Sequence, residues 1–233
     1  MNGVPGVRSR IYLTRHGETA WTISGRYTSR TDVPLTERGK RDARGLAAML
    51  GTLEFSQVFT SPRQRARQTC ELVGLGAAAA IEQDLAEWDY GDYEGKLALE
   101  IRRAHPDWNL FRDGCPGGES PSQISDRVDR LIVRLRSLEG NLALFSHGHL
   151  GRVLAARWIG LSVRRAQVFL LDTASLSILG YQHDLTQDPA VVLWNAVSGS
   201  VAESVPNQRT GDGRAVERWE NEGGEVPTRE VTQ

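Results

Sequence analysis

The chain has 233 residues, with 28 Lys and Arg against 29 Asp and Glu, a net charge of −1 and two cysteines. It is long enough for one large or two small domains around a buried core, and its near-neutrality gives no overall pull towards nucleic acid or an anionic membrane. No run approaches the roughly 20 apolar residues of a membrane span, and Cys70 and Cys115 stand in no metal or redox spacing, so a soluble protein of the reducing cytoplasm is expected.

The charge is unevenly spread, with seven acidic and four basic residues from Val201 onward. The body before that point is slightly cationic. Residues 1–8 contain glycine, proline and arginine without an apolar segment, and read as a flexible N-terminus. The first element is a short buried strand, Ile11-Tyr12-Leu13-Thr14, ending in Arg15-His16-Gly17. Glu18 to Val33 is polar and reads as a loop. Thr36 then N-caps a helix with Glu37 in its first turn, Ala43, Leu46, Ala47 and Leu50 at helical spacing, and Gly51 at its end. Val58-Phe59-Thr60 is a second strand. It runs into Ser61-Pro62, read as an N-cap with proline at the first position of a helix that begins at Arg63.

Gly74 to Ala80 is a connection of small residues. Leu85 to Gly95 is acidic, aromatic and irregular. A short helix is expected over Leu97 to Ala104, then an aromatic and glycine-rich loop over Trp108 to Gly118. Ser120-Pro121-Ser122-Gln123 is a capping box, followed by an apolar stripe of Ile124, Val128, Leu131, Ile132, Leu135 and Leu138. Leu142 to Ser146 is an apolar strand ending in His147-Gly148-His149, with a helix from Leu150 to Ile159 behind it. Strands at Ser175 to Tyr181 and Val191 to Trp194 complete the body, and residues 199–233 read as a disordered tail.

Strands alternating with helices imply an α/β, three-layer sandwich with a mostly parallel central sheet flanked by helices. Ligands of such sheets bind outside the carboxyl ends of the strands. Three strand ends carry polar chemistry: Arg15-His16-Gly17, Ser61 with Arg65, and Ser146-His147-Gly148. Taken singly, each has an ordinary reading as a loop histidine or a surface arginine. Together, two arginines and two histidines hold up to four positive charges, which need an anion. Phosphate fits, because a guanidinium fork matches its oxygens, and the helix starting near Ser61 would add N–H donors. A phosphate beside an imidazole invites a phosphohistidine intermediate, with the cationic cage stabilising the transition state. The leaving alkoxide needs a proton. Glu87 is the preferred donor, in a segment where partial burial would keep it protonated; Glu18, Asp89, Asp92 and Glu94 are alternatives.

Thr14-Arg15-His16-Gly17-Glu18-Thr19, Ser61-Pro62-Arg63-Gln64-Arg65-Ala66-Arg67-Gln68-Thr69, Glu87-Trp88-Asp89-Tyr90-Gly91 and Ser146-His147-Gly148 resemble, in order and spacing, the histidine phosphatase superfamily. The resemblance covers residues 9–198 and implies the phosphoglycerate mutase-like fold. It implies His16 as nucleophile, Arg15, Arg65 and His147 as phosphate pocket, Glu87 as proton donor, Gly148 as a backbone donor, and no metal or other cofactor. Glu87 to Gly95 and Trp108 to Glu119 resemble a subgroup that includes sedoheptulose-1,7-bisphosphatase-like and broad-specificity acid phosphatases. The mutases carry a longer insertion after the proton donor, and an asparagine where this chain has Thr22. Both departures favour hydrolysis. Position 149 is a histidine instead of the more usual asparagine or small residue, and either contacts substrate or caps the following helix.

The implied partner is a small phosphorylated metabolite, a sugar phosphate or bisphosphate, with no nucleic acid and no membrane; the sequence is compatible with a homo-oligomer. Arg26, Tyr27 and Thr28, with Ser29, Arg30 and Trp108 to Arg112, are placed around the mouth, where they either hold the rest of the substrate or close the loops onto the sheet. The rivals are a cofactor-dependent phosphoglycerate mutase, a metallophosphatase using His147, His149 and His16, and a non-catalytic phosphate-binding module.

Overall fold

In the computed structural model, residues 9–182 and 188–198 are described; the expected N-terminal extension 1–8 and the tail 199–233 lie outside them. Strand β1 (Arg10–Arg15) is the centre of the sheet, and a short helix α1 (Ala20–Ser24) follows in the stretch read as loop. Thr19 and Thr22 form a capping box around α1, and Gly25 closes it in the left-handed region. Helix α2 (Glu37–Leu50) begins at Thr36 as expected and leads to β2 (Gln57–Thr60).

Helix α3 spans Gln64–Val73, with Arg63, not Ser61, as its N-cap residue. The physical reason lies in two side chains. Ser61 directs its hydroxyl to His147, and Asp32 accepts the Gln64 N–H that a cap would have taken. The small-residue connection includes an unexpected strand, β3 (Ala79–Ile81), paired parallel to β2. Leu85 to Gly95 is irregular, as its composition requires. Helices α4 (Ala98–Ala104), α5 (Leu110–Asp113) and α6 (Pro121–Arg136) follow; α5 interrupts the stretch read as loop, and α6 has the expected capping box. Strand β4 (Asn141–Ser146), helix α7 (Gly148–Trp158), and strands β5 (Ser175–Tyr181) and β6 (Pro189–Val197) complete the fold.

The sheet order is β3-β2-β4-β1-β5-β6, the first four strands parallel and the last two joined antiparallel. Alternate residues of each strand feed opposite faces. Ile11, Leu13, Phe59, Leu142 and Leu144 pack with α4 to α7 on one side. Tyr12, Val58, Ala143 and Phe145 pack with Leu46, Leu50 and Cys70 of α2 and α3 on the other. The three-layer reading holds. Among the described residues, no helix is long and apolar enough to cross a membrane.

Ladder register brings the three polar strand ends together. Arg15 pairs with Ser146 and Thr60 with Phe145. One residue beyond, His16 N–H donates to Ser146 O (3.0 Å) and Ser61 N–H to Phe145 O (2.9 Å). His16, Ser61 and His147 thus leave adjacent strands at the same level.

Candidate active site

A cavity of about 60 Å³ opens at this sheet edge, its wall including Arg15, His16, Glu87 and Gly148. Arg65 and His147 are both wholly buried and stand behind it. The His16 and His147 rings meet edge to face with centroids 5.2 Å apart. His16 Nδ1–H donates to Gly17 O (2.8 Å), which leaves Nε2 as the lone-pair nitrogen; Arg65 Nε–H donates to it (3.2 Å). Arg65 is anchored by the loop after α1, donating to the carbonyls of Thr28 (3.0 Å), Ser29 (3.3 Å) and Thr31 (3.1 Å).

Burial, then the Arg65 and Arg15 guanidinium groups, push the His16 pKa well below its ordinary value. Burial, then Arg65, His16, Arg63 and Arg15, do the same to His147. The four-charge cluster anticipated from sequence is therefore corrected: the histidines stay neutral, and the formal charge is that of two arginines. Arg15 donates to Leu171 O and lies against the backbone of Gly148. A Cβ at Gly148 would stand 3.1 Å from the Arg15 Cζ, so glycine there allows the guanidinium to cover the start of α7.

The donor-bearing helix end also differs from expectation. Gln64 N–H of α3 is taken by Asp32 (2.6 Å), and the helix that ends at the cavity is α7. Its first turn holds Glu87: His149 N–H donates to Oε2 (3.1 Å) and Leu150 N–H to Oε1 (2.8 Å), while Trp88 N–H also reaches Oε1 (2.9 Å). These N–H groups, otherwise without intrahelical acceptors at the start of α7, fix the position of the Glu87 carboxyl group. Among the described residues Glu87 is the one carboxylate on the cavity wall. The alternatives are engaged elsewhere. Glu18 accepts from the Thr36 hydroxyl, Asp89 pairs with Arg30, and Glu94 accepts the Ser29 and Thr31 N–H groups. Asp92 is not on the wall.

Thr22, Arg26, Tyr27, Thr28 and His149 all line the cavity. Thr22 turns its hydroxyl to Thr19, donating to the carbonyl (2.9 Å) and accepting the N–H (2.8 Å). Arg26 donates to Gly95 O (2.6 Å) and Thr28 to Arg26 O (2.9 Å). His149 is not the cap of α7, which is His147. Its ring stacks on Tyr27, meets Phe111, and accepts or donates at Nδ1 to the Tyr90 hydroxyl (2.6 Å). Of Trp108 to Arg112, Trp108 packs on Tyr27 and Phe111 on His149 behind the wall, while Arg112 pairs with Asp113 away from it.

Sequence reasoning missed Arg152 and the Arg127–Glu119 pair. Arg152 is buried, lies over Phe111 and also lines the cavity, donating to the carbonyls of Ala166 and Gln167. The signal was an arginine inside the otherwise apolar stretch 150–156 of α7. Arg127 grips Glu119 with two nitrogens (2.7 Å each) and donates to the carbonyls of Asp84 (2.8 Å), Ala86 (2.8 Å) and Glu87 (3.3 Å), so it fixes the segment that carries Glu87. Among the described residues, no group of three or more His, Cys, Asp or Glu side chains is arranged to hold a metal ion.

With this geometry in place, the comparisons with known proteins give the class. Residues 11–197 match the histidine phosphatase superfamily (branch 1). The chain is 42% identical over 187 residues to an acid phosphatase of Mycobacterium tuberculosis, a match covering 78% of this chain and 92% of that protein. It is 32% identical over 260 residues to the sedoheptulose 1,7-bisphosphatase of Saccharomyces cerevisiae, covering 82% and 94%. A solved structure of an open-reading-frame product from Mycobacterium tuberculosis shares the fold, with a TM-score of 0.75 at 37% identity over 82% of this chain and 98% of that one. The chain belongs to the histidine phosphatase superfamily, and its activity is that of a phosphatase.

Proposed function

We propose that this phosphatase hydrolyses phosphomonoesters of small metabolites through a phosphohistidine on His16, without a metal. The observation that carries this reading is the state of His16: Nδ1–H is tied to Gly17 O, so Nε2 is the lone-pair nitrogen of a cavity-lining ring, and the Arg65 Nε–H that it accepts is the donor a phosphoryl oxygen would take over. Nε2 attacks phosphorus as the ester P–O bond breaks, and Glu87 gives a proton to the departing oxygen. Glu87, now a carboxylate, takes a proton from the water that attacks phosphorus, the P–N bond breaks, and phosphate leaves. Arg15, Arg65, His147 and Gly148 N–H hold the phosphoryl oxygens. With both histidines neutral, the guanidinium groups of Arg15 and Arg65 supply the positive charge nearest His16 for a phosphomonoester dianion.

The rest of the substrate lies among Arg26, Tyr27, Thr28, Tyr90, His149 and Arg152. Aromatic faces suit the apolar side of a sugar, and the arginines suit a second anionic group. Similarity to a sedoheptulose bisphosphatase supports sugar phosphates and bisphosphates as the class to test. Two unpaired cysteines in separate core clusters support a cytoplasmic setting.

His16→Ala is expected to abolish turnover, and acid quench of the wild type with labelled substrate to trap an acid-labile phosphoenzyme. Full activity in that variant would sink the assignment. Activity unchanged by a chelator supports the metal-free route, and phosphate release without isomer formation from 3-phosphoglycerate separates hydrolase from mutase.

A further inference from the structure

Ser61 is fully buried, and its backbone bond to Phe145 O fixes it beside the end of β4. Its Oγ lies 2.7 Å from His147 Nε2 and 3.3 Å from the Arg63 backbone nitrogen. These contacts fix the direction of the first bond. The Arg63 N–H can only donate, so it takes a lone pair of Oγ. The hydroxyl's single proton then has the imidazole nitrogen as its acceptor. In the opposite sense, Nε2–H would donate to Oγ and leave two buried groups unbonded, the hydroxyl hydrogen and the Nδ1 lone pair, against the single Nδ1–H of the first arrangement. His147 Nε2 therefore accepts, and the ring's proton sits on Nδ1. Nδ1 is itself buried and has no hydrogen-bond partner among the described residues.

We propose that Ser61 is a positioning residue for phosphoryl transfer: its hydroxyl holds His147 as the Nδ1–H tautomer, and that N–H is the donor which meets a phosphoryl oxygen. The proposal rests on the reading of the cavity as the phosphate site. Burial among Arg65, His16, Arg63 and Arg15 keeps His147 neutral, so the ring has one proton to place. On Nδ1 it completes the cage. On Nε2 it would leave a lone pair facing an oxyanion, and the cage would lose a donor.

The test uses the full chain labelled with 15N-histidine, without substrate, His147→Gln serving for assignment. In the wild type, His147 is expected to show a protonated Nδ1 and an unprotonated Nε2. Ser61→Ala is expected to shift the ring towards the Nε2–H form, to weaken inhibition by inorganic phosphate and to lower kcat/KM by about 10–100-fold, as loss of a ligand-orienting partner does. Ser61→Thr, which keeps the hydroxyl, is expected to restore all three. A wild-type proton on Nε2 overturns the proposal, as does a folded Ser61→Ala that binds phosphate like the wild type. Should Ser61→Ala fail to fold, the wild-type tautomer and Ser61→Thr decide. Tautomer and phosphate affinity are read without turnover, so they fail separately from the phosphohistidine assignment.

Discussion

The site joins two regions built on different principles. His16, Ser61 and His147 leave three neighbouring parallel strands, and ladder register sets their mutual position. Glu87 arrives on an irregular segment outside any ladder, held by the first turn of α7, by Trp88 Nε1–H to Glu119 O, and by Arg127. Backbone pairing is cooperative and tolerates many side-chain changes. The Glu87 segment depends on a few polar groups, each of which leaves buried donors or acceptors unpaired when removed. The nucleophile is thus positioned by sheet architecture and the proton donor by side-chain ties.

Glu87→Gln attacks the second region directly. Turnover of alkyl phosphates is expected to fall by about 10²–10⁴-fold, the typical worth of a positioned acid, and that of aryl phosphates far less, because their leaving groups barely need a proton. Equal losses on both would make Glu87 a structural group. A thermal-melt control is needed, since the new amide NH2 would face the N–H groups of Trp88, His149 or Leu150.

Gly148→Ala tests the first region. The added Cβ would stand 3.1 Å from the Arg15 Cζ and push the guanidinium aside by only a fraction of an ångström, so kcat/KM is expected to fall by less than the roughly 10²-fold of a 1 Å misplacement, with the melting temperature nearly unchanged. Alkyl and aryl substrates should suffer alike, because both use the phosphoryl cage; a leaving-group dependence would blur the division between the regions.

Arg127→Ala is expected to cost about 2–4 kcal/mol in denaturant unfolding, by leaving the largely buried Glu119 without its ion-pair partner and three carbonyls without this donor. It should also reproduce a weaker form of the Glu87→Gln leaving-group pattern. Loss of stability with an unchanged pattern would show that α7 and the Trp88 bond position Glu87 without Arg127.

The smallest effect is on acid stability. His16 and His147 have folded pKa values below their ordinary 6.5, so the unfolded chain binds protons that the folded chain refuses. Their contribution is fully present above pH 6.5 and is lost as pH falls below it, by at most about 1.4 kcal/mol per pH unit for each histidine. His147→Gln should flatten that slope in unfolding measured against pH. A slope unchanged by the substitution would place the acid sensitivity elsewhere.

Much of the first region was legible in the sequence. Apolar runs ending in Arg-His-Gly and Ser-His-Gly announce strands whose tips carry function, and the Ser120 capping box with its apolar stripe defines α6 without help. Ser61-Pro62 misled, because Ser61 Oγ accepts only the Arg63 N–H while its proton serves His147, 86 positions away, and the Gln64 N–H goes to Asp32. Strand β3 was hidden because Ala79-Ala80 carries neither β-branching nor alternation; pairing with β2 makes it a strand.

Local chemistry along the chain therefore determined the long helices and the inner strands, the strand-end residues and the cage they were expected to form, since periodicity and residue type act over a few positions. Which helix end faces the cavity, that the histidines are neutral, that Thr22 turns its hydroxyl to Thr19, and that Arg127 and Glu119 hold Glu87 were decided by tertiary structure alone. Burial, charge proximity and hydrogen-bond competition arise between residues distant in sequence, and they have no value until the chain has folded.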